Sequence, residues 1–209
     1  MNPDSTVVVL FVEGETEGEF YRALVQTLRN MNGGRLNCFI EYQVLKGIGN
    51  FSTKAERILK KDLMRNPKYR SCHFNVLLCY DSDVFDRNEN RVRINWNAVE
   101  ESMHALNVSN VFHIRATSTI EDWFLADSDG IKKFLNISKS ADISNYKGLS
   151  GLKNLFSKHG KSYSKGVRCE GLVSSLDMQN ILKANCSQVN KLCHILGVPC
   201  KHDGKCLQK

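Results

Sequence analysis

Four glutamates, Glu13, Glu15, Glu17 and Glu19, follow an apolar run at residues 7–12, and Asp81 and Asp83 flank Ser82 after a second apolar run at residues 74–80. Carboxylates gathered at the ends of buried strands repel one another and are costly without a counter-charge, so such clustering predicts a bound divalent cation. A ligand set made of oxygens alone favours Mg2+ or Mn2+ over zinc or copper. With several carboxylates available, two ions about 4 Å apart are feasible, an arrangement that stabilises the attacking and leaving oxygens of a phosphodiester. Glu13, Glu17, Asp81 and Asp83 are therefore the candidate metal ligands.

Each acidic residue also has a simpler explanation. Glu17 and Glu19 suit a helix N-terminus, where the macrodipole favours anions, and Thr16 with Glu19 has capping-box spacing. Neither explains Glu13, which terminates an apolar strand, with Gly14 expected to allow a tight turn into the helix. Glu15 is expected to face solvent. Asp81 and Asp83 are two residues apart and point to the same side of a continuing strand. A calcium loop starting at Asp81 lacks the required Gly and final Glu, having Asp86 and Val92 there. A dinucleotide site is disfavoured because the turn Glu13-Gly14-Glu15-Thr16-Glu17 would repel phosphates. Gly160, Lys161 and Ser162 echo a phosphate loop, but Leu155 replaces its first Gly and no strand precedes it, which argues against ATP binding.

The elements that must position these residues alternate. Residues 7–12 form a β-branched apolar run typical of a strand covered on both faces. Phe20, Ala23, Leu24, Thr27 and Leu28 recur at helical spacing, and Asn32, Gly33 and Gly34 stop that helix. Residues 38–45 read as a second strand, 46–50 as a glycine-containing loop, and Ser52 or Thr53 as the cap of a basic helix to about Met64. Residues 74–80 form the third strand, 83–93 a loop, Trp96 to Leu106 a helix marked by Val99 and Met103, and 111–116 the fourth strand. Ser118 and Thr119 then open a helix ending near Gly130. Strands alternating with helices imply an α/β fold: a parallel, Rossmann-like sheet of about four strands with helices on both faces and ligands at the carboxyl ends of the strands. Residues 1–130 are expected to form this domain and residues 131–209 a basic, mainly helical extension packed on it, with helices near 131–135, 149–156 and 178–196.

The net charge of +7 is uneven: residues 1–130 hold 15 Lys and Arg against 18 Asp and Glu, whereas residues 131–209 hold 14 against 4. An acidic metal region beside a basic one suits a polyanion such as DNA or RNA, with the basic stretch from Lys132 to Lys165 along the backbone. No apolar signal opens the chain and no run approaches a membrane span, so no membrane partner is expected and a cytoplasmic location with reduced thiols is. Cys186, Cys193, His194, Cys200, His202 and Cys206 could hold a structural zinc, but the tight Cys-x-x-Cys knuckle is missing, and buried or idle thiols are the preferred expectation.

An apolar strand ending in Glu13-Gly14, a further Glu17 in the next helix, and a later strand ending in Asp81-Ser82-Asp83 together resemble the Toprim domain of topoisomerases, primases and nucleases over about residues 6–130. The small size and the stretch Thr119 to Asp127 look most like the RloB-like and overcoming-lysogenisation-defect (OLD) nucleases. That branch places a further carboxylate after the fourth strand, matched by Glu121, and a basic residue downstream, matched by Lys165 in Tyr163-Ser164-Lys165-Gly166. Glu121 also has capping-box spacing from Ser118. The resemblance implies a Toprim-like fold and a Mg2+-dependent nuclease, endonuclease rather than exonuclease. Glu13, Glu17, Asp81, Asp83 and Glu121 would hold one or two ions, Glu17 or Glu121 would act as base, and Lys165 would steady charge on the phosphate. It further implies an antiviral effector cutting DNA or RNA, tRNA included, with a separately encoded ABC- or SMC-like ATPase, and it is compatible with a homo-oligomer. A non-catalytic nucleic-acid-binding or assembly subunit and a nucleotidyl or phosphoryl transferase fit the same residues.

Overall fold

The structure, a computed structural model, describes residues 5–82, 94–117 and 119–199. Four strands, β1 (Thr6–Val12), β2 (Cys38–Val44), β3 (His73–Asp81) and β4 (Asn110–Ala116), form one sheet in the order β2-β1-β3-β4. All neighbours run parallel, with Val12 opposite Val44 and Cys79, and Asp81 opposite Ala116. Parallel strands need crossovers, and helices supply them: α1 (Glu15–Met31), α2 (Ala55–Ile58, continued in a wider turn to Leu63) and α3 (Trp96–His104). The fold is α/β and Rossmann-like, as the alternation predicts.

Alternate residues of each central strand feed different layers, because side chains in a strand point to opposite faces. Val8, Leu10 and Val12 join Phe20, Leu24 and Leu28 of α1, while Val7, Val9 and Phe11 join Leu59 and Leu63 beyond α2 and Val99 and Met103 of α3. The first layer extends without interruption into the later helices: α4 (Ile120–Leu125), α5 (Ser128–Leu135), α6 (Gly148–Lys158), α7 (Leu172–Ser175), α8 (Met178–Ala184) and α9 (Cys186–Ile195). Its centre is aromatic, with the Phe20 ring 5.3 Å from Phe124 and 6.0 Å from Trp123, edge-on or tilted as ring quadrupoles favour.

Three local expectations fail. The helix opened by Thr119 ends at Leu125 and a new one begins at Ser128, running through Gly130. Buried Asp127 causes the break, accepting hydrogen bonds from the Asp177 backbone N–H (2.6 Å) and Asn180 Nδ2 (3.1 Å). Gly130 is therefore a packing residue, since a Cβ there would lie 2.7 Å from the Ser175 carbonyl. The basic helix is capped by neither Ser52 nor Thr53: it begins at Ala55 after Lys54, with no side-chain cap. The third is the Thr16 and Glu19 capping box. Helix α1 starts two residues earlier, with Gly14 in the N-cap position; Thr16 Oγ1 donates to the Val167 carbonyl and Glu19 pairs with Arg168, so neither side chain caps it.

Candidate active site

Two halves of the sheet diverge from its centre. The chain moves from β1 outward to β2, then returns to β3 and continues outward to β4, so the switch in direction lies between β1 and β3. Open α/β sheets form ligand crevices at such a switch point, beyond the carboxyl ends of the strands. Glu13 follows β1 and Asp81 ends β3 at that crevice, and Glu13, Glu17, Tyr21, Cys79, Tyr80, Asp81 and Ile120 line a narrow pocket there.

Every predicted site residue within the described regions comes to this place. Asp81 is 4% exposed; its Oδ1 accepts the Ile120 backbone N–H at 2.8 Å, which ties the start of α4 to the end of β3. Lys165 Nζ lies 2.6 Å from Asp81 Oδ2 and 4.0 Å from Glu13 Oε2. Glu121 is fully buried and its Oε1 accepts a hydrogen bond from Tyr163 Oη at 3.0 Å. A capping role for Glu121 is thereby unnecessary to explain its position. Asp83 and Ser118 lie outside the described residues, so the second carboxylate of the third strand and the cap proposed for Glu121 are not placed.

Lys165 reaches the carboxylates because its loop is fastened to the β1–α1 turn. The Glu15 N–H donates to the Gly166 carbonyl at 3.0 Å, Thr16 Oγ1 to the Val167 carbonyl at 2.5 Å, and Arg168 Nε lies 3.3 Å from Glu19 Oε2. Gly14 has an ordinary extended backbone, φ −139° and ψ 178°, so a tight turn does not require glycine there. Contact does: a Cβ on Gly14 would stand 2.4 Å from the Gly166 Cα. Gly166 itself has φ +75°, which favours glycine. Sequence reading placed Tyr163 and Gly166 only as flanks of Lys165 and gave Thr16 a capping role, so none of the three was assigned the contact it makes. Their partners are far along the chain, and no local spacing announces such contacts.

Burial dominates the electrostatics. It pushes the Glu17 carboxyl up to about 7, reinforced by the charges of Asp81, Glu13 and Glu121. It also lifts Asp81 to about 6, although the Lys165 ammonium and the Ile120 N–H pull the other way. The Tyr163 hydroxyl is raised by burial and by Glu121, so it stays a donor at neutral pH.

The donor set suits a hard cation. Glu17 Oε2 and Glu121 Oε2 are buried oxygens that accept no hydrogen bond, and burial, reinforced by the neighbouring carboxylates, holds two carboxyls above their usual range. Among the described residues no group of three or more His, Cys, Asp or Glu is arranged to hold a metal as it stands. Lys165 stands against Asp81 instead, so an ion bound there would meet its ammonium. Of the C-terminal Cys and His residues, Cys186 is disulfide-bonded, Cys193 is half-buried, and Cys200, His202 and Cys206 lie outside the described residues. The expectation of reduced thiols is not met at Cys186, and a disulfide removes that sulfur as a zinc ligand. No helix among the described residues is long and apolar enough to cross a membrane.

No protein-family model, curated protein or solved structure matches the chain.

Proposed function

We propose that this chain is a Toprim-like, metal-dependent nuclease that hydrolyses phosphodiester bonds in DNA or RNA with Mg2+ or Mn2+. The observation that carries the reading is the meeting of Glu13, Glu17, Asp81, Glu121 and Lys165 at the switch point of a parallel sheet, with unpartnered buried oxygens on Glu17 and Glu121. Glu13, Asp81 and Asp83 would hold the principal ion, with Glu121 as a further ligand and Glu17 left free to act as base. When bound, a divalent ion supplies Lewis-acid stabilisation of charge on the reacting phosphate and lowers the pKa of a water.

The chain's own groups account for the remaining requirements. A carboxyl near 7 is matched to general-base work at neutral pH, so Glu17 accepts a proton from the attacking water. Ile120 N–H and Tyr163 Oη fix Asp81 and Glu121 by one oxygen each, leaving the other oxygen toward the crevice. Lys165, released from Asp81, places its ammonium on the phosphate, where developing negative charge strengthens the contact. The antiviral role and the ATPase partner come with the Toprim resemblance and not with this geometry.

The reading is separated from transfer chemistry by its products. Incubation with radiolabelled nucleoside triphosphates and an oligonucleotide should yield shortened fragments and no incorporated label; incorporation in place of shortening would assign the site to a nucleotidyl transferase. Metal-dependent cutting by the isolated chain likewise distinguishes the nuclease from an assembly subunit that merely binds nucleic acid.

A further inference from the structure

An acidic crevice repels the substrate assigned to it, so cationic groups must hold the polyanion beside it. The basic stretch from Lys132 to Lys165 is partly committed elsewhere: Lys132 Nζ donates to the Lys139 carbonyl at 2.9 Å, Lys161 Nζ donates to the Phe134 carbonyl at 2.6 Å and rests on the Phe134 ring, and Lys165 faces Asp81. A different place on the fold offers cations at the right height. Tyr80, His113, Arg115, Ser187, Gln188, Asn190 and Lys191 line a cleft of about 310 Å³ between the end of the sheet and α9.

The register fixes how near this cleft is to the carboxylates. Tyr80 also lines the acidic pocket, is the neighbour of Asp81, and pairs across β3 and β4 with Arg115. Adjacent strands are about 4.8 Å apart, which keeps the Arg115 backbone within two strand spacings of Asp81, but Arg115 shares the face of Tyr80, opposite that of Asp81, so the cleft lies around the edge strand β4 from the carboxylates. The Arg115 charge is felt at the Tyr80 hydroxyl, and both Arg115 and Lys191 are exposed. Among the described residues no carboxylate lines the cleft.

Its walls are anchored. Gln188 Oε1 accepts the Thr117 N–H at 2.7 Å and Trp123 Nε1 at 3.3 Å, fastening α9 to the end of β4. His113 is held between Glu100 (2.8 Å) and Tyr80 (2.9 Å); with Nε2–H donated to the carboxylate, Nδ1 accepts the tyrosine hydroxyl. These bonds leave Arg115 and Lys191 as the groups that face a ligand.

We propose that this cleft is a phosphate subsite, in which Arg115 and Lys191 grip backbone phosphates of a single-stranded nucleic acid that passes around the edge strand β4 from the acidic crevice. The inference rests on the nuclease reading for the identity of its ligand. It differs from that reading in requiring neither metal nor cleavage.

The test is fluorescence anisotropy of a labelled 20-nucleotide single-stranded DNA, and of the same sequence in RNA, in EDTA from low to moderate salt. Arg115→Ala/Lys191→Ala should bind on the order of tenfold more weakly, with a salt slope shallower by about 1.4, the loss of two phosphate contacts on a single strand. Arg115→Lys/Lys191→Arg should keep the wild-type slope, and Lys60→Ala/Lys61→Ala, two exposed lysines beyond α2, should change neither quantity. An unchanged slope in the alanine pair, an equal loss in the Lys60/Lys61 control, or no binding of either oligonucleotide by wild type overturns the proposal. Because chelator is present throughout, failure of the nuclease reading appears separately, as cutting in Mg2+ that survives loss of Asp81.

Discussion

Lys165 Nζ stands 2.6 Å from Asp81 Oδ2, an ammonium on the carboxylate where a divalent ion is proposed to bind. The two cations compete for one oxygen, so Lys165→Met should tighten Mn2+ binding, by about tenfold if the displaced contact is worth about 1.4 kcal/mol. Isothermal titration calorimetry measures this directly. The same variant should cut more slowly, because the ammonium that leaves Asp81 is the one assigned to the phosphate. Weaker Mn2+ binding would show that the lysine supports the ion instead of opposing it.

Stability should depend on pH in a particular sense. Glu17 and Asp81 have folded-state values of about 7 and about 6, above their ordinary values of 4.5 and 3.8, so between those limits the folded protein holds more protons than the unfolded chain. The contribution of these two groups to metal-free stability is therefore full below about pH 4, is lost as pH rises through 6 and 7, and is flat beyond. The total fall is on the order of a few kcal/mol, moderated by the coupling of the two groups. Thermal melts in EDTA should show it. Glu17→Gln should flatten the profile and raise the melting temperature at pH 8, and saturating Mg2+ should reduce the slope in wild type.

Gly14→Ala tests the fastening of the Lys165 loop. A methyl group 2.4 Å from the Gly166 backbone forces the two turns apart, at a cost of about 1–3 kcal/mol. Since φ at Gly14 is ordinary, alanine there has no conformational penalty of its own. A lowered melting temperature together with Mn2+ binding that moves toward that of Lys165→Met is the expected pair of results.

How much of this was legible beforehand depends on the distance over which each feature is determined. Strands β1 and β3 are apolar runs because burial on both faces demands it, and they were found within a residue or two, whereas edge strand β4, with exposed Arg115, is apolar only in part. Glu13 stood out for having no local explanation. The capping-box reading of Thr16 and Glu19 failed for the opposite reason: both side chains bond to residues 167 and 168, some 150 positions away. Gly130 was mistaken for a helix stop because a close backbone approach and a left-handed cap ask for the same residue.

Tyr163 illustrates the same limit at the site. Its hydroxyl is a hydrogen-bond donor to Glu121 Oε1, and Glu121 Oε2 accepts no hydrogen bond. Tyr163→Phe should cost about 1–3 kcal/mol in chemical denaturation by stranding a buried carboxylate, whereas Tyr163→Phe with Glu121→Leu should recover part of the loss. A single variant as stable as wild type would mean that the carboxylate finds another partner.

The central claim is metal-dependent cleavage by the carboxylates at the sheet edge, and gel analysis of plasmid, single-stranded DNA, bulk RNA and tRNA incubated with wild type, Glu13→Ala and Asp81→Ala tests it most directly. The account predicts that wild type cuts at least one substrate in Mg2+ or Mn2+, that chelator abolishes cutting, and that each substitution reduces it by a hundredfold or so. Cutting that persists in both variants, or that chelator leaves untouched, would contradict it.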